Sequence, residues 1–450
     1  MYHFEMSSSE LSDQLLVSRY RARHVMKYIR EKCETKSLHE ICSIASGAYV
    51  QNYVSKQEGS LYLRVSDIRK YICNLNIADI VYAPTNHNDT VSRAIVGEND
   101  VLIARTGTLG KAALARGPLV GAVMSQHVTR LRVRSADVDP RYLVSFLNSE
   151  YGRQQMNYSG FGSTRPELTH AALGQIEIPI IDWKDQKEMG QSVQEAVDRY
   201  YESCKFAVSA VEAYERAIKF KLPAVPASIF EISGISDELW TPRYYRQEYS
   251  EESNRLRRIF ICKTVGEIAD IVRGKGTRVA EYATKGIPFV TTTDLVNYGI
   301  DPFPDHYATD ETYEEFDQEI LEGDILFSIE GKIGSVALLT KEDVCVLKNH
   351  IQRLRTKGSV SPEQLFLYLA SGSGQFQADR LTVVQATIGG LGGRLKDVEI
   401  PISMKERDTG YDENLVRAFA LVTEAVQQRR CALGTLRKAH RVIESYLEKI

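Results

Sequence analysis

Residues 184–222, KDQKEMGQSVQEAVDRYYESCKFAVSAVEAYERAIKFKL, divide the chain into two halves that repeat one another. Met189, Val193, Ala196, Tyr200, Cys204, Ala207, Val211, Tyr214 and Ile218 recur at steps of three or four, the spacing of a single apolar face on a long helix. The pattern predicts a helix of about ten turns.

The flanking halves are loose copies of one unit. Asp100-Val-Leu-Ile-Ala-Arg-Thr-Gly107-Thr-Leu-Gly110 matches Asp324-Ile-Leu-Phe-Ser-Ile-Glu-Gly331-Lys-Ile-Gly334 with both glycines in register. Arg19-Tyr20 pairs with Arg243-Tyr244, and Glu40-Ile41 with Gly47 returns as Glu267-Ile268 with Gly274. Asp67 falls on Asp294, Gln126-His127 on Asn349-His350, Pro140 on Pro362, and Ile176-Glu-Ile-Pro-Ile180 on Val398-Glu-Ile-Pro-Ile402.

Each copy closes in a helix. The second is expected from about Glu413 to Ile450, with Leu415, Phe419, Val422, Val426, Leu433, Leu436, Ile443, Leu447 and Ile450 on one stripe that Arg429 and His440 interrupt. At 1.5 Å per residue each helix is about 50 Å long, whereas a domain of some 180 residues is only about 32 Å across. Each stripe therefore needs a partner beyond its own unit. The expected partner is the other helix, paired antiparallel, with the two units related by a pseudo-twofold axis.

With 450 residues, 43% hydrophobic and 26% charged, the composition is that of an ordinary globular protein of several domains. No run of eighteen apolar residues occurs and Met1 to Asp13 lacks a signal-peptide core, so no membrane role and a cytoplasmic location are expected. The seven cysteines are scattered without Cys-x-x-Cys spacing, the usage of reduced thiols. A net charge of −3 argues on its face against a nucleic-acid partner. Distribution qualifies that argument: Arg19, Arg21, Arg23, His24, Lys27 and Arg30 cluster ahead of the first unit, and Arg243, Arg246, Arg255, Arg257, Arg258 and Lys263 at the matching place in the second. A charge run is most often a solvated face, but its recurrence makes phosphate contact an even alternative.

Within the first unit, strands or turns are expected at 37–46, 61–65, 101–104, 128–133 and 176–180, with a short helix at 140–148. The second unit repeats them at 289–290, 325–328, 351–354, 362–370 and 398–402. The class is α+β. The expected division is 1–182 and 223–405 for the two repeated domains, with long helices at 183–222 and 406–450; Pro223, Pro226, Gly234 and Pro242 mark the boundary.

Catalytic signatures are missing. Gly331-Lys332 and Gly274-Lys275 lack the upstream glycine and following Ser/Thr of a phosphate loop, and no His-Glu-x-x-His or Gly-x-Ser-x-Gly occurs. Gly389-Gly-Leu-Gly-Gly393 precedes a strand instead of opening a helix after one, the wrong context for a dinucleotide. His127 and His350 are expected as hydrogen-bonded strand histidines.

Taken in order and twice over, these segments resemble the specificity subunits of type I restriction-modification systems. The resemblance rests on the Arg-Tyr openings, the turns at Asn99-Asp100 and Gly323-Asp324, the Thr-Gly-Thr-x-Gly loop at 106–110, Gly162-Ser-Thr-Arg-Pro-Glu-Leu168, and the closing strand-Pro before each long helix. It implies that each half reads one part of a split double-stranded DNA sequence. It further implies helices that dock two modification (methyltransferase) subunits, with restriction subunits completing the nuclease. The chain itself would be non-catalytic and hold no cofactor, S-adenosylmethionine, ATP and Mg belonging to the partners. The second half departs from the pattern, with Ile329-Glu-Gly-Lys-Ile-Gly334 in place of Arg105-Thr-Gly-Thr-Leu-Gly110 and Gln385-Ala-Thr-Ile-Gly-Gly390 in place of the Gly-Ser-Thr-Arg segment.

Two spaced units without catalytic groups also form a caliper, which suits two half-sites on one duplex. Arg105, Lys111, Arg130, Arg165, Lys332, Lys348 and Arg394 lie on or beside the repeated turns, together with Thr106 and Thr108. These are the expected DNA contacts, with Gln126, Asn86, His87, Asn88 and Asn297 as candidates for base edges. A non-catalytic protein-binding scaffold with a duplicated domain is the alternative; failure to bind DNA even with partner subunits would favour it.

If the helices set the separation, inserting one turn into each, after Ala207 and near Leu433, lengthens the spacer by about 5.4 Å. At roughly 3.4 Å per base pair, the expected outcome is two unchanged half-sites whose unread gap grows by one or two base pairs. Sequencing of methylated sites checks it, and an unchanged gap in an active complex refutes the ruler.

Overall fold

The computed structural model describes residues 17–76, 79–85, 89–107, 109–161, 166–221, 239, 241–276, 282–283, 285–385, 388–406 and 408–449. Of the expected boundary at 222–240, all but Leu239 lies outside them. Contacts divide the chain into one unit of Met1–Asp198 with Gly434–Ile450 and another of Arg199–Leu433. The two long helices, Trp183–Ala217 and Thr409–Leu447, are thus each shared. The unit that receives the end of the first helix receives the beginning of the second.

In the first unit a four-stranded antiparallel sheet runs in the order Cys42–Ser46, Val128–Val133, Val101–Ala104, Ala112–Leu114. All four residues of Val101–Ala104 are buried, as a short unbroken apolar run in mid-sheet requires. A second sheet places Gly59–Leu63 between Val81–Pro84 and the parallel strand Val123–Met124. The other unit repeats both sheets with Ala269–Arg273, Ile351–Thr356, Ile325–Ser328 and Val336–Leu338, and with Ile287–Val290 between Tyr307–Ala308 and the parallel Val346–Leu347. Recurring residues recur for a reason. The Glu40 carboxylate accepts the Ser37 N–H at 2.7 Å, and Glu267 accepts that of Thr264 at 2.7 Å, each securing the start of a one-turn helix.

Four helices that the apolar pattern did not reveal complete the units: Val17–Lys32 packs with Glu150–Ser159, and Gln247–Ile259 with Gly372–Arg380. Val17–Lys32 and Gln247–Ile259 carry most of the two basic clusters. The side chains of Arg19, Arg21 and Arg23 lie outside the described residues, but Arg30 pairs with Glu177, Arg257 with Glu399, Arg243 with Asp379 and Arg255 with Glu252. These guanidiniums secure the units internally.

Burial of the long helices follows the sequence stripe. Ala210, Tyr214 and Ile218 share one core with Phe260, Leu365 and Val422 in the second unit; in the first, Val193, Ala196, Leu436 and Ile443 are buried. A fully buried aliphatic side chain of this size is worth about 1.5–3 kcal/mol. The two polar interruptions of the stripe are anchors. Arg429 donates to the carbonyls of Tyr298, at 2.6 Å, and Leu338, while His440 Nδ1 meets the Tyr71 hydroxyl at 2.8 Å. Tyr71 and Tyr298 are themselves counterparts, with φ of 69° and 62°.

The first long helix ends at Ala217, short of the expected Leu222, because Lys219 turns left-handed with φ 53°. The Phe220 N–H then reaches back to the Glu215 carbonyl at 2.9 Å, a helix-terminating bond. The second begins at Thr409, four residues before the expected Glu413. Asp408 accepts the Gly410 N–H at 2.9 Å and pairs with Lys219 at 2.6 Å, and Lys219 holds the Asp408 carboxyl below its ordinary pKa.

One ion-pair cluster recurs in both sheets. Asp100, 1% exposed, takes two bonds from Arg132 at 2.7 Å each, and Arg130 lies 3.8 Å away. Asp324, also 1% exposed, takes two from Arg355 at 2.8 and 2.9 Å, with Arg353 at 3.9 Å. Removing one member leaves the others charged and uncompensated. Asp100→Ala or Asp324→Ala is expected to cost its unit about 3–5 kcal/mol, read as a lowered unfolding transition, against near-neutral change for the exposed pair mutant Lys184→Ala.

Candidate nucleic-acid interface

The glycine turns occupy the same place in each unit and are tied down by the same backbone bonds. The Arg105 N–H donates to the His127 carbonyl at 3.2 Å, and the Gly107 N–H to the Pro166 carbonyl at 3.0 Å. The Leu168 N–H donates in turn to the Arg105 carbonyl at 2.9 Å. In the second unit Ile329 donates to His350 at 2.9 Å, Gly331 to Gly389 at 3.3 Å, and Leu391 to Ile329 at 2.8 Å. Three segments therefore meet at each turn: the turn itself, a two-residue reversal carrying Gln126-His127 or Asn349-His350, and the segment before the closing helix. Gly47 and Gly274 pass directly beneath. A Cβ at either would sit 2.2 Å from the Ser125 or Lys348 carbonyl oxygen, so only glycine fits there.

His127 and His350 stand in these reversals and not in strands, correcting the expectation. Val128 N–H to the Ser125 carbonyl, 2.9 Å, and Ile351 N–H to the Lys348 carbonyl, 3.0 Å, close the reversals. His127 keeps Nδ1 buried without a hydrogen bond, its Nε2 lying 3.2 Å from Gln126. His350 Nδ1 instead meets Glu330 at 2.6 Å.

The expected contact residues are dispersed in role. In the first unit Arg105 is half-buried and bridges Ser46 at 3.3 Å, the Gln126 carbonyl at 3.2 Å and Glu167 at 3.4 Å, with Nε left buried and unbonded. The Thr106 hydroxyl is likewise buried without a partner. Lys111 is buried, and Arg130 donates to the Ile95 carbonyl at 2.6 Å. Burial holds the Arg130 guanidinium below its usual pKa, with Arg132 adding to that. Gln126 is exposed at the rim. Thr108, Arg165, Asn86, His87 and Asn88 lie outside the described residues.

In the second unit Lys332 stands half-buried in the turn. Lys348 lies over the Tyr282 ring at 5.8 Å and donates to its hydroxyl at 3.1 Å, and Tyr282 stacks on His306 at 4.3 Å. Arg394 donates to the Leu381 and Gly390 carbonyls at 2.8 Å each. Asn297 is buried against the Tyr200 hydroxyl at 3.2 Å. The structure thus gathers Arg105, Thr106 and Gln126 at one turn and Lys332 and Arg394 near the other, while Arg130, Lys111 and Asn297 face inward.

Sequence reasoning missed Arg273 and Glu330. Both the Arg273 guanidinium and His350 engage the Glu330 carboxylate, so that an ion cluster replaces the Thr106 site of the first unit. Their signal was the departure of the second turn from the first. Exposed aromatics were missed too: Tyr49 is 69% exposed, and Phe161, 60% exposed, exchanges two 2.8 Å backbone bonds with Glu167 beside the first turn. Among the described residues no group of three or more His, Cys, Asp or Glu could hold a metal, and no helix is long and apolar enough to cross a membrane.

Comparison with known proteins bears on the same segments. A family model for the type I restriction modification DNA specificity domain matches residues 30–200 and again 262–409. The type I restriction enzyme MjaVIII specificity subunit of Methanocaldococcus jannaschii is 21% identical over 194 residues, which is 42% of this chain and 45% of that one; the chain spans less than half the length of this relative in the match. Among solved structures, the type I restriction-modification S subunit from M. genitalium aligns with 91% of this chain and 95% of its own, at 12% identity and a TM-score of 0.38. The HsdS subunit from Thermoanaerobacter tengcongensis aligns over 92% and 95%, at 17% identity and 0.30.

The turn glycines differ in what surrounds them. Gly331 has φ 71° and open space where a Cβ would stand, while at Gly334, φ 91°, a Cβ would lie 2.2 Å from Gln375 Oε1. Gln375 cannot swing away without releasing the Gly334 and Leu369 carbonyls it donates to at 2.9 and 2.6 Å. Gly331→Ala should cost about 1 kcal/mol of backbone strain, and Gly334→Ala at least about 1 kcal/mol more. Denaturant unfolding of the two variants checks the order.

Proposed function

The chain belongs to the type I restriction modification DNA specificity domain family, whose model matches it twice, and from that membership we propose that it is the DNA-specificity subunit of a type I restriction-modification complex. Each unit reads one half of a bipartite, asymmetric double-stranded DNA site with its glycine turn and the two segments tied to it. The long helices dock two modification subunits and the restriction subunits that supply methyl transfer, ATP-driven movement and cleavage. The chain contributes recognition and no chemistry of its own.

The observation that carries this reading is a duplicated support whose turns and the segments tied to them diverge. The aspartate cluster, the backbone ties and the closing Gln–Glu pairing repeat between units; Gln155 and Glu177 exchange bonds of 3.1 and 2.9 Å, as Gln377 and Glu399 do at 3.0 and 2.8 Å. Apart from their glycines, the turn residues differ between the units. A scaffold held constant under changed surface residues is what two different half-sites demand. The negative total charge fits a subunit whose phosphate attraction is local and whose affinity is completed by partners.

Arg105 and Gln126 in the first unit and Lys332 and Lys348 in the second are the proposed DNA contacts; Lys111, Arg130 and Arg394 act as internal supports of the turns. Independent reading by each unit has a direct test. Replacing residues 1–182 with those of a relative of different specificity should change one half of the methylated sequence and keep the other, as mapped by sequencing DNA methylated by the complex. A change in both halves contradicts it.

A further inference from the structure

The second turn presents a carboxylate where the first presents a buried hydroxyl. Glu330 aligns with Thr106, and each bridges the segment before the closing helix, to Gly390 and Glu167 respectively. Thr106 is 4% exposed, whereas the Glu330 side chain is 27% exposed between Arg273 and His350, which are themselves 48% and 40% exposed. Arg273 is fixed in turn, its Nε donating to the Asn349 carbonyl at 2.7 Å. Glu330 is therefore a half-buried anion with a set orientation on the surface that the proposed function assigns to DNA.

An anion there repels phosphate, so a backbone contact is ruled out by charge. Ionised, it is an acceptor only, with about four lone-pair directions; one bond to each oxygen, from Arg273 and from His350, leaves about two directions open. The groups it can take in a major groove are the exocyclic amines. Adenine sets its N6 amine beside the N7 acceptor, which opposes a carboxylate, while cytosine presents its N4 amine with no neighbouring acceptor on the same base. The Arg273 guanidinium flanking Glu330 offsets the cost of bringing it near the duplex and is a donor of the kind that the guanine O6 and N7 of a C·G pair accept. The packed support on both sides gives the preorganisation that base discrimination needs.

We propose that Glu330 is a specificity-determining residue of the second unit and reads a cytosine by accepting its N4 amine. The proposal rests on the DNA-reading function above. It also explains why the second turn departs from the first at this position: the half-sites differ, and Thr106 has no acceptor in reach of the groove.

The test uses the full chain co-expressed with its modification subunits, with methylated sites sequenced for wild type, Glu330→Ala and Glu330→Met. The expected result is that Glu330→Ala relaxes a single C·G pair in the half-site assigned to the second unit by the domain exchange, with a loss of preference of roughly 5- to 150-fold, while the other half-site is kept. If the alanine variant fails to assemble, Glu330→Met decides, since it keeps the length of the side chain and removes both oxygen acceptors. A reduced preference for that C·G pair supports the proposal. An unchanged sequence in an active variant, or relaxation at an A·T pair, overturns it. Methylation by the wild-type complex without any fixed sequence would instead refute the DNA-reading function itself, an outcome distinguishable from these.

Discussion

A buried aspartate holding an arginine two ways is the interaction on which each unit depends. Asp100 precedes the strand that delivers the first glycine turn, and Arg132 lies on the strand that leaves the Gln126-His127 reversal. Their bond fixes the register of the two strands, and with it the separation between turn and reversal. The Gly97 N–H adds a 2.6 Å bond to the same carboxylate. Desolvating such a group is expensive, and the expense is offset only when every partner is in place. That makes the arrangement specific: a one-residue slip of Val101–Ala104 against Val128–Val133 would bury Asp100 without Arg132.

With the scaffold so constrained, the turns are free to vary. Arg105 spans three segments in the first unit and Glu330 engages Arg273 and His350 in the second, yet the backbone bonds beneath them correspond one for one. Charge at these places is balanced locally. Such local balance is consistent with a chain of net charge −3.

The long helices follow the same economy of repeated parts. Glu215 near the end of the first helix accepts the Gly372 N–H at 2.7 Å, and Glu444 near the end of the second accepts the Glu150 N–H at 2.8 Å. Each carboxylate meets the exposed amides at the start of a short helix in the unit that its half of the long helix joins, where a negative charge is stabilised. Arg429 and His440, polar residues in an apolar stripe, bond to counterpart tyrosine positions. The stripe provides burial; these polar groups select the place where it docks.

Duplication, the long helices and the buried strands were legible in the amino-acid sequence because they rest on local period and on repetition: 101–104, 128–133, 140–148, 325–328 and 362–370 are found as elements at those residues. The helices Val17–Lys32 and Gln247–Ile259 were not, since their apolar faces are thin and their arginines suggested a surface for phosphate, whereas Glu177 and Glu399 claim Arg30 and Arg257. Arg130 and Lys111 read as surface charge for the same reason. Which basic residue faces outward depends on partners more than a hundred positions away or across a sheet, and no local pattern records them. The placement of Glu330 between Arg273 and His350, 57 and 20 positions distant, exists only once the sheet pairs Ala269–Arg273 with Ile351–Thr356. Local chemistry thus determined the elements and their duplication, and long-range pairing in the folded chain decided which charges remain at the surface to meet a ligand.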